Sequence, residues 1–188
     1  MLTEGREIEL NNRLGEVRKL LIRRCGSEDL AAILDLQEKV IAALEEGHIF
    51  ARTSEDELRE SLCKDFCVGV FCGDELAAAT IMVINRVTSR NLGVHLGYNK
   101  QQMCRCATYD STFVLPRFRG YGIQRMLCAV RDEAALEFGC DEALATVSPD
   151  NSVSLNNMKA NGFEILTEKI MYTGVRRYIV GKKLVVRT

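Results

Sequence analysis

Arg117, Arg119, Gly120, Gly122 and Arg125 cluster in the stretch LPRFRGYGIQRML, residues 115–127. An apolar run precedes them and an amphipathic run follows. A turn of this kind between a strand and a helix can bind an anion. Glycine lets the backbone approach a phosphate with no Cβ in the way, and the first turn of a helix has N–H groups without an acceptor inside the helix. The helix dipole adds ~0.3–1 kcal/mol for an anion there. The three arginines can add positive charge. The same residues also suit an ordinary tight turn, so the spacing alone leaves both readings open. It does exclude two nucleotide loops. No GxxxxGK[ST] occurs, and position 125 is Arg where GxGxxG needs its third glycine.

Cysteine is the other chemistry-bearing residue type. There are eight: Cys25, Cys63, Cys67, Cys72, Cys104, Cys106, Cys128 and Cys140. Neither Cys63/Cys67 nor Cys104/Cys106 has CxxC spacing, and His48 and His95 stand apart from them, so no metal site is expected. A chain this rich in aliphatic residues has no need of disulfide staples, and small reduced thiols are the simpler reading.

The elements that must position the turn can be read from hydrophobic period. With 188 residues, 47% of them hydrophobic and 27% charged, the chain is expected to form one domain with a sizeable core. "KLLIRRC" (19–25) reads as a strand. A helix follows, with Ser27 and Asp29 as cap candidates and Leu30, Ile33, Leu34, Ile41 and Leu44 as its stripe. A second helix starts near "TSEDEL", where Ser54 and Glu57 have capping-box spacing. "FCVGVF" (66–71) and "ELAAATIMVI" (75–84) flank a CGD turn. Residues 85–106 read as polar and irregular. "ATYDSTFVL" (107–115) is a strand, and Ile123 to Phe138 carries a helical stripe. "EALATV" (142–147) is a strand. A short helix at 152–161 stops at Gly162. Strands at 164–173 and 177–185 close the chain. The expected order is β-α-α-β-β-β-α-β-α-β-β, an α/β fold with a single mixed sheet flanked by helices. Residues 1–18 are read as an N-terminal extension and 19–188 as the domain. Leu10, Leu14, Val17 and Leu21 also suit a helix, so the start of the first strand is open.

The formal net charge of −1 gives no reason to expect nucleic acid or an acidic membrane as a partner. No stretch approaches the apolar length of a membrane span, and the polar, acidic first residues lack a signal core. A cytoplasmic location is expected.

Arg117-Phe118-Arg119-Gly120-Tyr121-Gly122 fits [Q/R]-x-x-G-x-[G/A]. The strand ending "FVLP" precedes it, and an amphipathic helix and then "ALATVSPDNSVSLNNMKANGFE" (143–164) follow. In these two motifs, and in element order over 19–185, the chain resembles the GNAT superfamily of N-acetyltransferases. The resemblance implies acetyl-CoA as co-substrate. Backbone N–H groups near Arg119, Gly120, Tyr121 and Gly122 are then expected to hold its pyrophosphate, with Arg117 and Arg125 as basic side chains. Backbone groups of Phe113, Val114 and Leu115 are expected to pair with the pantetheine arm. Asn151 and Ser154 are expected at that arm too. Asn151 also suits a helix cap, and Arg125 has a solvated helix charge as its alternative.

One position departs from the family pattern. Met158 stands where a tyrosine near the leaving sulfur is common, and a thioether donates no proton. Tyr109, Tyr121, Tyr172 and Tyr178 are the other phenols weighed for that role. The resemblance implies attack of an amine on a thioester. An alkyl ammonium has a pKa of about 10.4 and must lose a proton, whereas a thiol of pKa about 8.5 leaves as thiolate at small cost. The base is thus the more needed partner. Asp110, in the strand before the turn, is the candidate; Asp150, Glu75 and His95 are further ones. No cysteine sits at a motif position that suggests an acyl-enzyme, so direct transfer in a ternary complex is expected. The resemblance implies a small-molecule amine or a peptide or protein amine as acceptor, and a monomer or homodimer is expected. The alternative, motivated by Met158, is a non-catalytic acyl-CoA-binding sensor or scaffold.

Overall fold

The computed structural model describes residues 5–44, 51–84, 86–172 and 174–185. The chain opens with a hairpin. Strand β1 (Arg6–Asn11) pairs antiparallel with β2 (Val17–Arg24). Asn12 makes the turn, its Oδ1 accepting from the N–H groups of Leu14 (2.9 Å) and Glu16 (3.0 Å). The helical alternative for Leu10, Leu14, Val17 and Leu21 is therefore not adopted. Leu14 and Val17 gain no burial here, being 87% and 59% exposed. The expected order gains a strand at its start, inside the segment read as an extension.

A 3₁₀ turn at Ser27–Asp29 leads into α1 (Leu30–Ala42). Its buried stripe is Leu30, Ile33, Leu36 and Val40, whereas Leu34 and Ile41 are only half-buried, so the stripe is rotated from the expected one. Helix α2 (Glu55–Lys64) begins with the expected capping box. Ser54 Oγ accepts from the Glu57 N–H at 3.3 Å, and Glu57 Oε2 accepts from the Ser54 N–H at 2.9 Å. Strands β3 (Phe66–Cys72) and β4 (Glu75–Val83) are buried nearly throughout, which explains their unbroken apolar sequences.

The stretch 86–106 has more regular structure than its polarity suggests. It holds a 3₁₀ turn at Leu92–Leu96 and a short helix, α3 (Lys100–Cys104). Buried Asn91 organises it, donating through Nδ2 to the carbonyls of Arg86 and Met103 (2.9 Å each) and accepting at Oδ1 from Gly93 N–H. Strand β5 (Cys106–Val114), helix α4 (Ile123–Glu137), β6 (Glu142–Val147), α5 (Ser152–Ala160), β7 (Glu164–Met171) and β8 (Val175–Lys183) complete the chain.

The strands form one mixed sheet in the order β1-β2-β3-β4-β5-β6-β8-β7. The chain divides into two compact units. The first takes β1, β2, α1, α2, β3, β4 as far as Ile81, and the stretch Ser111–Leu127. The second takes Met82–Asp110 and the chain from Cys128 onward. A core of the second unit is Leu92, Cys106, Leu144, Met171 and Ile179.

All eight cysteines are free thiols, five of them buried. Burial pushes the thiols of Cys25, Cys106 and Cys128 up, away from the reactive thiolate. Among the described residues, no three His, Cys, Asp or Glu side chains gather as a metal site, and no helix is long and apolar enough to cross a membrane. His48 lies outside the described residues.

Candidate functional site

In the first unit, the end of β5 is fixed to β4 by Leu115 N–H donating to the Ala77 carbonyl at 3.0 Å. The backbone then makes a 3₁₀ turn, Pro116–Phe118, that carries it away from the sheet. Gly120 and Gly122 follow with φ of +85° and +75°, a region where L side chains are strained. A Cβ built at either would meet nothing within 4 Å. The glycines are thus required by backbone conformation and leave the surface beside them open. Between and before them, Tyr121 and Phe118 are buried anchors, each 4% exposed. Helix α4 starts at once, the Met126 N–H donating to the Gly122 carbonyl at 3.0 Å. The turn therefore presents glycine backbone and a helix N-terminus together, the elements of an anion cradle.

The side chains around it divide. Phe113 and Leu115 are buried and Val114 half-buried, so what they can offer a ligand is backbone; at Leu115 the N–H is spent on Ala77 and the carbonyl already accepts from the Phe118 N–H at 2.9 Å. Arg119 and Arg125 are exposed. Arg117 forms an ion pair with Glu75 and lies 5.4 Å from the centre of the Phe118 ring. Arg117 is therefore a brace of the turn as it stands, and Glu75, one of the further base candidates, is committed to it.

Two features of this unit have no local sequence signal. The Tyr121 hydroxyl donates to Glu16 Oε2 at 2.8 Å and accepts from Arg18 Nε at 3.3 Å, a link across more than a hundred residues of chain. The Tyr121 hydroxyl, and then the Asn12 amide, hold the Glu16 carboxyl below its ordinary value. A buried polar line also runs through the unit. Gln37 exchanges two hydrogen bonds with the backbone of Thr53 (2.9 and 3.0 Å), Thr53 Oγ1 meets Ser111 Oγ at 2.8 Å, and Thr80 Oγ1 donates to the Ser111 carbonyl at 3.0 Å. It joins α1, the α2 entry, β4 and β5. Hydroxyls and an amide scattered through four elements give no spacing pattern to read.

In the second unit, β5 pairs with β6 in parallel from Cys106↔Glu142 to Tyr109↔Ala145. The ladder ends there, although β5 goes on to Val114 and β6 to Val147. Asp110 is the first β5 residue past that point. Its Oδ2 accepts from Arg90 at 3.2 Å, and both side chains are largely shielded. Tyr109, facing the other way, is 3% exposed. Its hydroxyl donates to Asp132 Oδ1 at 2.5 Å, and burial pushes its pKa far up. Lys182 donates to Asp132 Oδ2 at 2.7 Å, and the Arg131 guanidinium stacks over the Tyr109 ring at 4.2 Å. That cluster is structural, and it occupies the Tyr109 phenol.

Asn151 caps α5, its Oδ1 accepting from the Ser154 N–H at 2.9 Å. Met158 is 8% exposed and packed inward, and its carbonyl takes the N–H groups of Asn161 (3.0 Å) and Phe163 (3.1 Å). Gly162 ends the helix with φ +84°, as its sequence position suggests. Asp150 is exposed and His95 half-buried in its 3₁₀ turn. Tyr172 has φ +46° and its hydroxyl meets Thr146 Oγ1 at 3.3 Å, while Tyr178 is half-buried in β8.

Comparison with known proteins places this geometry. No protein-family model matches the chain. Aminoglycoside N(6')-acetyltransferase type 1 of Salmonella typhimurium is 35% identical over 63 residues, 34% of this chain and 43% of that protein. The chain thus matches less than half the length of that curated relative. Among solved structures, a GNAT-family acetyltransferase from Streptococcus pneumoniae superposes with TM-score 0.66 at 16% identity, covering 88% of this chain and 99% of that one. The structure of YncA of Salmonella typhimurium, a putative acetyltransferase with its cofactor acetyl-CoA, superposes with TM-score 0.63 at 16% identity, covering 89% of this chain and 95% of that one. The fold is that of the GNAT acetyltransferases.

Proposed function

We propose that this protein transfers an acetyl group from acetyl-CoA to an amine. One observation carries the reading. Gly120 and Gly122 hold positive φ, with open space beside both, and run directly into α4, in a chain with the acetyltransferase fold. A pyrophosphate needs such a surface, because its oxygens must reach backbone N–H groups that a Cβ would screen. In this reading the N–H groups of Gly120–Gly122 hold the pyrophosphate beside Arg119, whose own N–H donates to the Pro116 carbonyl at 3.1 Å, with Arg125 adding charge and Arg117 doing so on release from Glu75. The end of the β5/β6 ladder supports pairing of the pantetheine arm with the backbone of Phe113, Val114 and Leu115. Asn151, Ser154 and Met158 are proposed as contacts of that arm. Asn151 would do so while keeping its cap.

The thioester supplies an acyl carbon with a good leaving group; the protein must free the amine of its proton. Asp110 is the proposed acceptor of that proton, with Arg90 holding its carboxylate in place. A positioned base contributes ~10²–10⁴-fold, so Asp110→Asn should lower kcat by about that factor at unchanged CoA affinity. The proposed acceptor class is a small-molecule amine or a peptide or protein amine. The aminoglycoside acetyltransferase match supports including aminoglycosides among those tried.

One observation favours a second reading. Met158 is a buried packing side chain where a proton donor is common. That suits a module that binds acyl-CoA without turning it over, as a sensor or scaffold. A thiol-release assay with acetyl-CoA and a panel of aminoglycosides, polyamines, amino acids and peptides separates the two. Transfer to any acceptor supports the enzyme; tight CoA binding with no transfer to any supports the module.

A further inference from the structure

The β1–β2 hairpin reaches the glycine turn through one phenol. Tyr121 stands between Gly120 and Gly122, and its ring is buried while its hydroxyl meets two residues of the hairpin, Glu16 at 2.8 Å and Arg18 at 3.3 Å. Glu16 is itself set by the hairpin turn. Asn12 Nδ2 donates to Glu16 Oε2 at 2.8 Å, and Asn12 Oδ1 accepts the Glu16 N–H at 3.0 Å. The path Asn12–Glu16–Tyr121 is continuous, and Arg18 closes it from the next strand.

Two glycines with positive φ have wide conformational freedom, and a flexible loop must be ordered at a cost when it binds an anion. The residue between them belongs to both peptide planes, so a side chain fixed there restrains both. We infer that Asn12, Glu16 and Arg18 are positioning residues for the anion cradle, acting through the Tyr121 hydroxyl to preset its backbone. Arg18 also brings a guanidinium beside the turn. This rests on the CoA reading above. It gives the N-terminal hairpin a part in cofactor recognition, which the sequence of residues 1–18 does not suggest.

The test compares CoA with pantetheine, which lacks the pyrophosphate, by titration of wild type and of Tyr121→Phe, Glu16→Ala and Glu16→Gln. Loss of a charge-assisted hydrogen bond that presets the loop should weaken CoA by about tenfold in Tyr121→Phe and Glu16→Ala. Glu16→Gln keeps an acceptor oxygen and should recover most of that loss. Pantetheine affinity should stay within about twofold throughout. A merely structural contact would instead lower the unfolding temperature without ligand and weaken both ligands together. Wild type that binds CoA, with variants that match it or lose both ligands equally, overturns this inference alone. Wild type that binds no CoA overturns the reading beneath it and the inference with it.

Discussion

The glycine turn of the first unit and the α5 cap of the second each hold one of the two motifs that resemble those of GNAT acetyltransferases, but their present commitments differ. At the turn, Gly120 and Gly122 carry φ of +85° and +75°, and a Cβ on either would meet nothing within 4 Å. At the cap, Asn151 is spent on the Ser154 N–H and Met158 on packing. Nearby in the same unit, the Tyr109 phenol is spent on Asp132, and Asp110 is paired with Arg90. Backbone binding groups are not removed by side-chain substitution, although a side chain such as Tyr121 can preset how they are held. A site made of side chains has to draw them from groups that already stabilise the fold. Substitutions at the α5 cap and in the Tyr109–Asp132 cluster should therefore register mainly as stability, and substitutions at the turn mainly as ligand affinity; Asp110, the proposed base, is the exception and is read in kcat.

The largest stability effect is expected at Asp132. It accepts from Tyr109 and from Lys182, whose side chain is 8% exposed. Asp132→Ala leaves that ammonium buried without its anion and should cost about 3 kcal/mol, read as a lower urea midpoint. A loss below about 1 kcal/mol would mean the cluster is solvated and the contrast weaker than drawn.

Asn151 sharpens the contrast, because it is assigned to both roles. Asn151→Ala should cost about 1 kcal/mol through the lost cap, while Asn151→Ser restores most of it. If Asn151 also meets the cofactor arm, the serine variant still binds CoA more weakly than wild type. Equal affinity would reduce the residue to a cap.

The smallest effect is a pH-dependent one in the first unit, away from the turn. Asp29 accepts from Arg23 at 2.7 and 2.8 Å and from the Gly26 N–H at 3.0 Å. Arg23 above all holds its carboxyl below the ordinary value of 3.8. The folded state thus prefers the ionised form. Its stabilisation is fully present above the unfolded value and disappears as pH falls through the lower folded one. The stability gap between wild type and Asp29→Asn should be up to about 1 kcal/mol at neutral pH and should close as the pH drops below 3.8. A gap that persists in acid would trace to packing and not to charge.

The helices and strands were legible where one physical rule acted alone. The Ser54/Glu57 box, the Gly73 and Gly162 turns, and the buried runs of β3 and β4 are local or periodic, and sequence carries both kinds of signal. β1 was missed because Arg6–Asn11 offers only two half-buried apolar residues, Ile8 and Leu10, too few to outweigh the helical spacing of Leu10, Leu14, Val17 and Leu21, and its pairing with β2 depends on the Asn12 turn. The 92–104 elements were missed because Asn91, a single buried amide, supplies their order. At the site, the glycines could be read because φ restricts the residue type. The Tyr121–Glu16 and Thr53–Ser111 contacts could not, since each joins residues far apart in the chain. The commitment of Arg117 to Glu75 also needed three dimensions.

The central claim is that the turn at 120–122 is a cradle for the CoA pyrophosphate. It is tested most directly by calorimetric titration of CoA into wild type and Gly122→Val. A β-branched residue at positive φ is strained by about 1–2 kcal/mol and screens the backbone N–H groups. Wild type should bind, and the folded variant should bind about a hundredfold more weakly. Equal affinity in the two proteins, or no binding by wild type, would contradict it.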